Sequence, residues 1–456
     1  MTDGRVTGGP VLPDGRVLVF GLGITGLAVA EALTRRGHAT VLADDRPSDG
    51  ARSTAARLDL ELVAAPDGDE LRRLLDRSVA LVATPGLPEG HPVFALAAAA
   101  GVPLLGELDL AAAWDDRPCL AITGTDGKTT VTTLVTRMLV ASGVAAVDAG
   151  NTDVPLVAAI DDPGPEVFVV EASSFRLAPL RRFRPAVGTW LNFAPDHLDV
   201  HAGLAGYEAA KASLWARLTA EQLAVANADD AVVMRHTIGV PRVETFGLGT
   251  GAAGPDWHVA DGVLRRPGGE PLLPVAELHR AFPHDIANAL AAAATASGGG
   301  ASIVGIQDAL RSFRGLPHRV TLVGEADGVR WYDDSKATAP HATVAAVEAF
   351  PSVVLIAGGR NKGLDLGAMA EVAPHIRAVV AIGDAADEVE RAFRSVRPVH
   401  RAGSMGDAVA TAHELARPGD SVLLSPGCAS FDWYGSYGER GDDFTRAVHE
   451  LLGAPT

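Results

Sequence analysis

Residues 123–130 read TGTDGKTT, and they stand between an apolar run, CLAITG, and a long helical pattern. A strand that runs into a glycine-rich loop and then a helix constrains the fold strongly, because the helix must pack back along the sheet that the strand belongs to. The glycines let backbone N–H groups approach a polyphosphate, while Lys128 can reach its terminal phosphates and Thr129 a magnesium ion. The spacing is Gly124-x-x-Gly127-Lys128-Thr129, shorter at the front than the usual P-loop. A plain glycine turn would need neither the strand, the lysine nor the helix that coincide here. An ATP or GTP site is therefore expected.

The lysine carries extra weight in this chain. Of 39 basic residues only four are lysine, Lys128, Lys211, Lys336 and Lys362, and arginine supplies the rest. The two cations are not interchangeable where a compact point charge or a nucleophilic amine is required, so each surviving lysine is a candidate for chemistry.

The alternation of strand, turn and helix recurs along the chain. VLVFG at residues 17–21, a glycine-rich turn, AVAEALTRRG and TVLAD make a βαβ unit, which VALVATPG and FALAAAAG extend to about residue 113, where WDDRP breaks the pattern. CLAITG, FVVEAS and VGTWLNF follow with helical stretches, ending in the alanine-rich IANALAAAATA. FRGLPHR reads as a linker to a third set of elements, RVTLV, GVRWYDD, ATVAAVEAF, VVLIAGG, AVVAIG and SVLLSPG. A chain of 456 residues exceeds one hydrophobic core at roughly 100–200 residues per domain. The expectation is an α/β protein of three domains over residues 1–113, 114–315 and 316–456: Rossmann-like, central P-loop mononucleotide-binding, and again Rossmann-like. The polar stretch at 247–271 reads as hairpins or loops.

The formal charge of -17 repels phosphate backbones and anionic membranes, so nucleic acid is not an expected partner, and anionic ligands must be held by local devices. Two distant cysteines, Cys119 and Cys428, suit a reducing compartment. The opening residues lack the apolar core of a signal peptide, and no run of about 18 apolar residues is present to span a bilayer. The chain reads as cytoplasmic, without membrane insertion.

Two further patterns carry chemistry. Gly21-x-Gly23-x-x-Gly26 follows the first strand, with Asp44 and Asp45 closing the next, close to a dinucleotide fingerprint. By pattern alone it points to NAD, and an oxidoreductase stands as a rival reading, although the turn suits any diphosphate ligand. Downstream of the phosphate loop come Glu171 at the end of FVVE, Asp196 and His197 in NFAPDHLD, and Lys211 in YEAAK. A carboxylate on a strand neighbouring a phosphate loop is how phosphoryl-transfer sites hold magnesium.

Taken together, FGLGITG, TPG, TGTDGKTT, AGN, EASSF, PDHLD with YEAAK, GLPHR, DDSKAT, GGRNKG and SPGCASFD resemble, in order and over essentially the whole chain, the Mur ligases. DDSKAT with SPGCASFD resembles the glutamate-adding branch, and all four lysines fall inside these motifs. The resemblance displaces the NAD reading, since the first domain then holds the UDP of a sugar precursor. It implies that Ile24 and Thr25 meet the diphosphate, that Asp44, Asp45 and Arg46 surround the uracil, and that Thr84, Gly86 and Asn151 touch the muramoyl part. ATP would lie between the middle and last domains on Gly124, Thr125, Gly127, Lys128, Thr129 and Thr130, with Asn288, Arg319, Asp334 and Lys336. Glutamate would be held by His197, Thr338, Lys362, Ser430 and Phe431. Magnesium would be held by Thr129, Glu171, His197 and Lys211, the last as a carbamate. Lys128, Glu171, His197, Lys211 and Lys336 would be the catalytic set.

The activity so implied is an ATP-dependent amide ligation of D-glutamate to UDP-N-acetylmuramoyl-L-alanine through an acyl phosphate, by a monomeric enzyme serving peptidoglycan synthesis, cell shape and division. A relative acting on another acceptor or on L-glutamate, a folylpolyglutamate-type ligase and an inactive UDP-sugar-binding protein are the alternatives, and retention of every lysine argues against the last. The chain also departs from the resemblance. It has Asp126, Asp285 and Ala339 where the family usually has Asn, Ala172 and Arg176 for Leu and Gln, Thr152 and Asp153 for Ile-Gly, and Val200 for Arg. A carboxylate added beside a triphosphate is repulsive unless it reaches magnesium, so a weakened or retuned ATP site is expected.

Overall fold

The structure is a computed structural model and describes residues 12–197, 200–249 and 254–453. They form two compact units, the first taking in the described residues of Met1–Phe193, Val200–His279 and Ile286–Phe313, the second those of Ala194–Asp199, Arg280–Asp285 and Arg314–Thr456.

The first unit contains two parallel sheets. One has five strands in the order Glu61–Ala64, Ala39–Asp44, Arg16–Phe20, Ser78–Ala83, Leu104–Leu105. The other has six, in the order Val243–Phe246, Leu223–Asn227, Val187–Trp190, Cys119–Thr123, Val167–Glu171, Ala146–Gly150. Strands in such a sheet are covered on both faces and read as continuous apolar runs, which is why VFVVE is buried at every position. One face of the six-stranded sheet shares a core with the first sheet, through Val17, Val19, Leu42 and Val82 against Ala121, Phe168, Val170 and Trp190. The other face packs under the helices Lys128–Ala141 and Pro283–Gly298, where Ala289–Ala296 lie buried against Leu120, Val187 and Val225. Small side chains bring that helix close to the sheet: a Cβ on Gly298 would lie 2.8 Å from Leu223 Cδ2.

The stretch expected to be hairpins or loops forms an antiparallel sheet of His258–Ala260, Val263–Arg266 and Glu270–Pro274, and residues 250–253 lie outside the described residues. Its first turn is Asp261-Gly262, both with positive φ (54° and 69°), the backbone of a tight two-residue hairpin.

The second unit is built on a six-stranded sheet in the order Thr321–Ala326, Val329–Asp333, Ser421–Leu424, Val353–Gly358, Ile376–Ile382, Val399–Arg401, antiparallel only at its first pair. Helices Ala386–Phe393, Met405–Leu415 and Tyr437–Leu452 cover it, closing two cores around Leu355 and Ile356. Among the described residues no helix is long and apolar enough to cross a membrane.

Candidate functional site

Loops at the carboxyl ends of parallel strands are where open α/β sheets place their ligands. In the six-stranded sheet of the first unit two neighbouring strands end in residues singled out above, Cys119–Thr123 in the phosphate loop and Val167–Glu171 in its carboxylate, and a third, Val187–Trp190, ends just before Asn192.

The phosphate loop is braced from behind. Thr125 and Asp126 both donate their backbone N–H to Asn192 Oδ1, at 2.9 and 2.8 Å, and Asn192 Nδ2 returns a bond to Asp126 O. Gly127 precedes the helix Lys128–Ala141 at φ 80°, and a Cβ there would lie 2.6 Å from Asn288 Oδ1, so the position requires glycine and Asn288 stands beside the loop. Lys128 Nζ donates to Gly124 O at 2.9 Å and Thr125 O at 2.7 Å. Lys211 Nζ donates to the same Gly124 carbonyl at 2.6 Å, is 1% exposed, and lies 4.6 Å from the Tyr207 ring centroid. Tyr207 in turn donates to Thr125 Oγ1 at 3.2 Å. Two of the four lysines thus meet on one carbonyl of the loop.

Glu171 is 3% exposed. Its Oε1 accepts from Asn151 Nδ2 at 2.9 Å, whereas Oε2 is buried with no hydrogen-bond partner. The structure therefore pairs the expected metal ligand with a residue expected to touch the muramoyl group. Among the described residues no three His, Cys, Asp or Glu side chains come together as a metal cluster. His197, with φ 54°, pairs with Asp196, Nε2 to Oδ2 3.3 Å, and its neighbours 198 and 199 lie outside the described residues.

At the end of the five-stranded sheet, the first glycine turn closes on itself. A Cβ on Gly26 would lie 1.9 Å from Gly21 O, and one on Gly21 2.3 Å from Thr84 Cγ2, which puts Thr84 against the turn. Asp44 accepts from the N–H of Leu22 at 2.6 Å and of Arg46 at 2.7 Å, so its carboxylate holds the backbone of both segments. Asp45 pairs with His91 at 3.1 Å. Ile24 is 67% exposed, and Gly86 has φ 88°.

Two departures have side-chain partners, and a third lies beside a hydrogen-bonded chain. Arg176, on the short helix Ser174–Leu177 that follows Glu171, donates to Glu107 Oε2 at 2.7 Å and to Thr25 Oγ1 at 2.9 Å. Asp285 takes both Nε and Nη2 of Arg280 at 2.6 Å, and Arg280 Nη1 reaches the carbonyls of Arg319 and Val320. The added carboxylate at Asp285 is therefore matched by a cation of its own. In the segment where Val200 stands, His201 joins Glu89 Oε1 (2.7 Å) to Ser174 Oγ (2.8 Å). Burial alone would raise the Glu89 carboxyl, but the Ala202 N–H and His201 hold it below its ordinary value.

In the second unit Asp333 ends the strand Val329–Asp333 and Asp334 follows it. Asp333 accepts from His318 at 2.6 Å, and Asp334 from Ser425 Oγ at 2.7 Å. Burial pushes the Asp334 carboxyl up to about 7 against the pull of Ser425 and Arg319. His318 and Val320 both have positive φ, 58° and 48°, and flank Arg319; such a backbone is strained, above all for a β-branched residue. Lys336 lies 3.8 Å from the Tyr437 ring centroid. The GGRNKG and SPGCASFD segments, which carry Lys362, Ser430 and Phe431, pair through Arg360 and Ala429, with N–H to O distances of 2.8 and 3.0 Å, and Phe431 is 61% exposed. Arg440, fully buried, holds Ser335 and the Cys428 carbonyl, and burial lowers it to about 10.

Asn192, Arg280, Arg440 and the Glu89–His201–Ser174 chain were not singled out from the sequence. Asn192 carried a signal, since it directly follows a buried central strand; an arginine in an arginine-rich chain carries none.

Comparison with known proteins completes the picture. The chain matches three family profiles: a Mur ligase MurD-like N-terminal domain over residues 15–106, a Mur ligase middle domain over 122–296, and a Mur ligase glutamate ligase domain over 318–428. It is 43% identical to a UDP-N-acetylmuramoylalanine–D-glutamate ligase of Frankia casuarinae, over 96% of this chain and 94% of that one, and 40% identical to one of Desulfosudis oleivorans, over 97% and 98%. Among solved structures, a UDP-N-acetylmuramate-alanine ligase of Thermotoga maritima matches with a TM-score of 0.57 at 17% identity, over 96% of this chain and all of that one, a likeness of fold. The chain belongs to the Mur ligase family.

Proposed function

We propose that the protein is an ATP-dependent amide ligase that joins D-glutamate to UDP-N-acetylmuramoyl-L-alanine in peptidoglycan precursor synthesis. The observation that carries this reading is the identity of up to 43%, over almost the full length, with ligases named for that reaction, in a chain whose phosphate loop keeps Lys128 and Lys211 on one carbonyl.

The acceptor's alanyl carboxylate attacks the γ-phosphoryl group of ATP to give an acyl phosphate and ADP. The glutamate amine then adds to the acyl carbon, and phosphate leaves. Catalysis of both steps is positioning and charge neutralisation. Gly124, Thr125, Gly127, Thr129 and Thr130 would cradle the phosphates with Lys128, and Asn288 would border them. Ile24 and Thr25 would meet the diphosphate of the acceptor, with Asp44, Asp45 and Arg46 toward the base and Thr84, Gly86 and Asn151 toward the sugar. Thr338, Lys362, Ser430 and Phe431 would take the amino acid. The buried Glu171 Oε2, lacking a partner, fits a cation, and Thr129, Glu171, His197 and a carbamylated Lys211 would hold magnesium. Magnesium supplies charge neutralisation on the phosphates.

The test is phosphate release with UDP-N-acetylmuramoyl-L-alanine, ATP, magnesium and either D- or L-glutamate. Release should require all the components together and D-glutamate. Robust ATP hydrolysis with neither substrate, or preference for another amino acid, overturns the assignment.

A further inference from the structure

We infer that Arg176 is a positioning residue for the acceptor's diphosphate, its guanidinium fixing the Thr25 hydroxyl as a hydrogen-bond donor. The inference rests on the proposed function only in taking Thr25 to face a diphosphate.

Arg176 is 6% exposed, and its partners Thr25 and Glu107 are buried as well. Nη1 donates to Glu107 Oε2 at 2.7 Å and Nη2 to Thr25 Oγ1 at 2.9 Å, while Nε is buried without a partner. The remaining Glu107 oxygen accepts from the Val157 N–H at 2.9 Å, so this carboxylate is engaged on both sides. A buried ion pair adds little net stability, and a desolvated nitrogen left unpaired subtracts from it. Cohesion alone is therefore a poor account of the network.

Donor and acceptor chemistry supplies a better one. A guanidinium carries only donors, so in this contact the Thr25 oxygen must accept. The hydroxyl hydrogen then points elsewhere, and among the described residues Thr25 donates to nothing. Thr25 is the second residue of the helix Ile24–Arg35, whose N-cap Gly23 brings no side chain to the free N–H groups. The hydrogen is thus offered at a helix N-terminus, where an anion is favoured. Glu107 balances the arginine, so the site gains direction at Thr25 and little net charge. A lysine in this place could keep the balance with Glu107 but has no planar fork to engage both partners.

The test uses full-length protein with UDP itself as the probe, by calorimetry, alongside KM for acceptor and for ATP. R176K and T25V should each weaken UDP binding and raise the acceptor KM about tenfold, the size of one hydrogen bond to a charged group, with ATP KM unmoved. The double variant R176K/T25V should be no weaker than T25V alone, because both changes remove the same donor, and T25S should restore binding. If R176K melts below the assay temperature, R176M/E107Q, which removes both charges and the donor to Thr25 together, replaces it with the same expectations. Unchanged UDP binding in R176K, or losses that multiply in the double variant, would make Arg176 a brace and overturn the inference. Wild-type protein that fails to bind UDP would instead overturn the proposed acceptor site.

Discussion

Lys211 shows how much one side chain can carry in this fold. Its amine is buried, bonded to the Gly124 carbonyl and set over the Tyr207 ring. A neutral amine is the form that adds to carbon dioxide, its nitrogen bonding to the carbon as a proton leaves. The product is an anion of carboxylate type, suited to the cation that the partnerless Glu171 oxygen also fits. Lys211→Arg should therefore abolish phosphate release, whereas Lys211→Ala should recover part of it when a small carboxylate is added to the assay. Full activity in Lys211→Arg, or a rate untouched by rigorous removal of carbon dioxide, would reduce Lys211 to a brace on the loop. Sequence reasoning reached this residue through the rarity of lysine here and through the family resemblance; the shared carbonyl with Lys128 depends on the packing of helix Leu204–Ala212 against the loop, which no local pattern encodes.

Among the elements, the helix Pro340–Val347 starts under a disadvantage. Its N-cap is Ala339, which has extended backbone and no side chain to accept from the first free N–H groups, although Pro340 at the first helical position suits the start. Ala339→Asn should raise stability by about 1 kcal/mol, read as a higher thermal midpoint with the near-ultraviolet spectrum unchanged. An equal or lower midpoint would show that the buried cap has no room for the amide. At residues 247–271, which read only as hairpins or loops, Asp261-Gly262 forms the turn of a hairpin, a local signal that the sequence reading passed over. The pairing of Asp285 with Arg280 is the opposite case. The two are five residues apart, but what gives the pair its place is Arg280 reaching the carbonyls of Arg319 and Val320, which a later part of the chain supplies.

For the molecule as a whole, a net charge of -17 sets the background against which anionic substrates are held. The protein should not retain duplex DNA in a gel-shift assay at low salt, since the summed field repels phosphate backbones; retention that weakens with added salt would reveal a cationic face. The α/β class, the succession of three sheet-forming regions, the phosphate loop and the four lysines were all legible in the residues, because parallel strands buried on both faces must be continuous apolar runs and their ligand loops must be glycine-rich. Tertiary structure alone decided the partners: Asn192 behind the phosphate loop, Asn151 on Glu171, Arg176 between Glu107 and Thr25, and His201 between Glu89 and Ser174. Strand and helix depend on periodicities within a few residues, whereas each of these contacts joins groups separated by many residues, and their meeting is settled by how the sheets and helices pack.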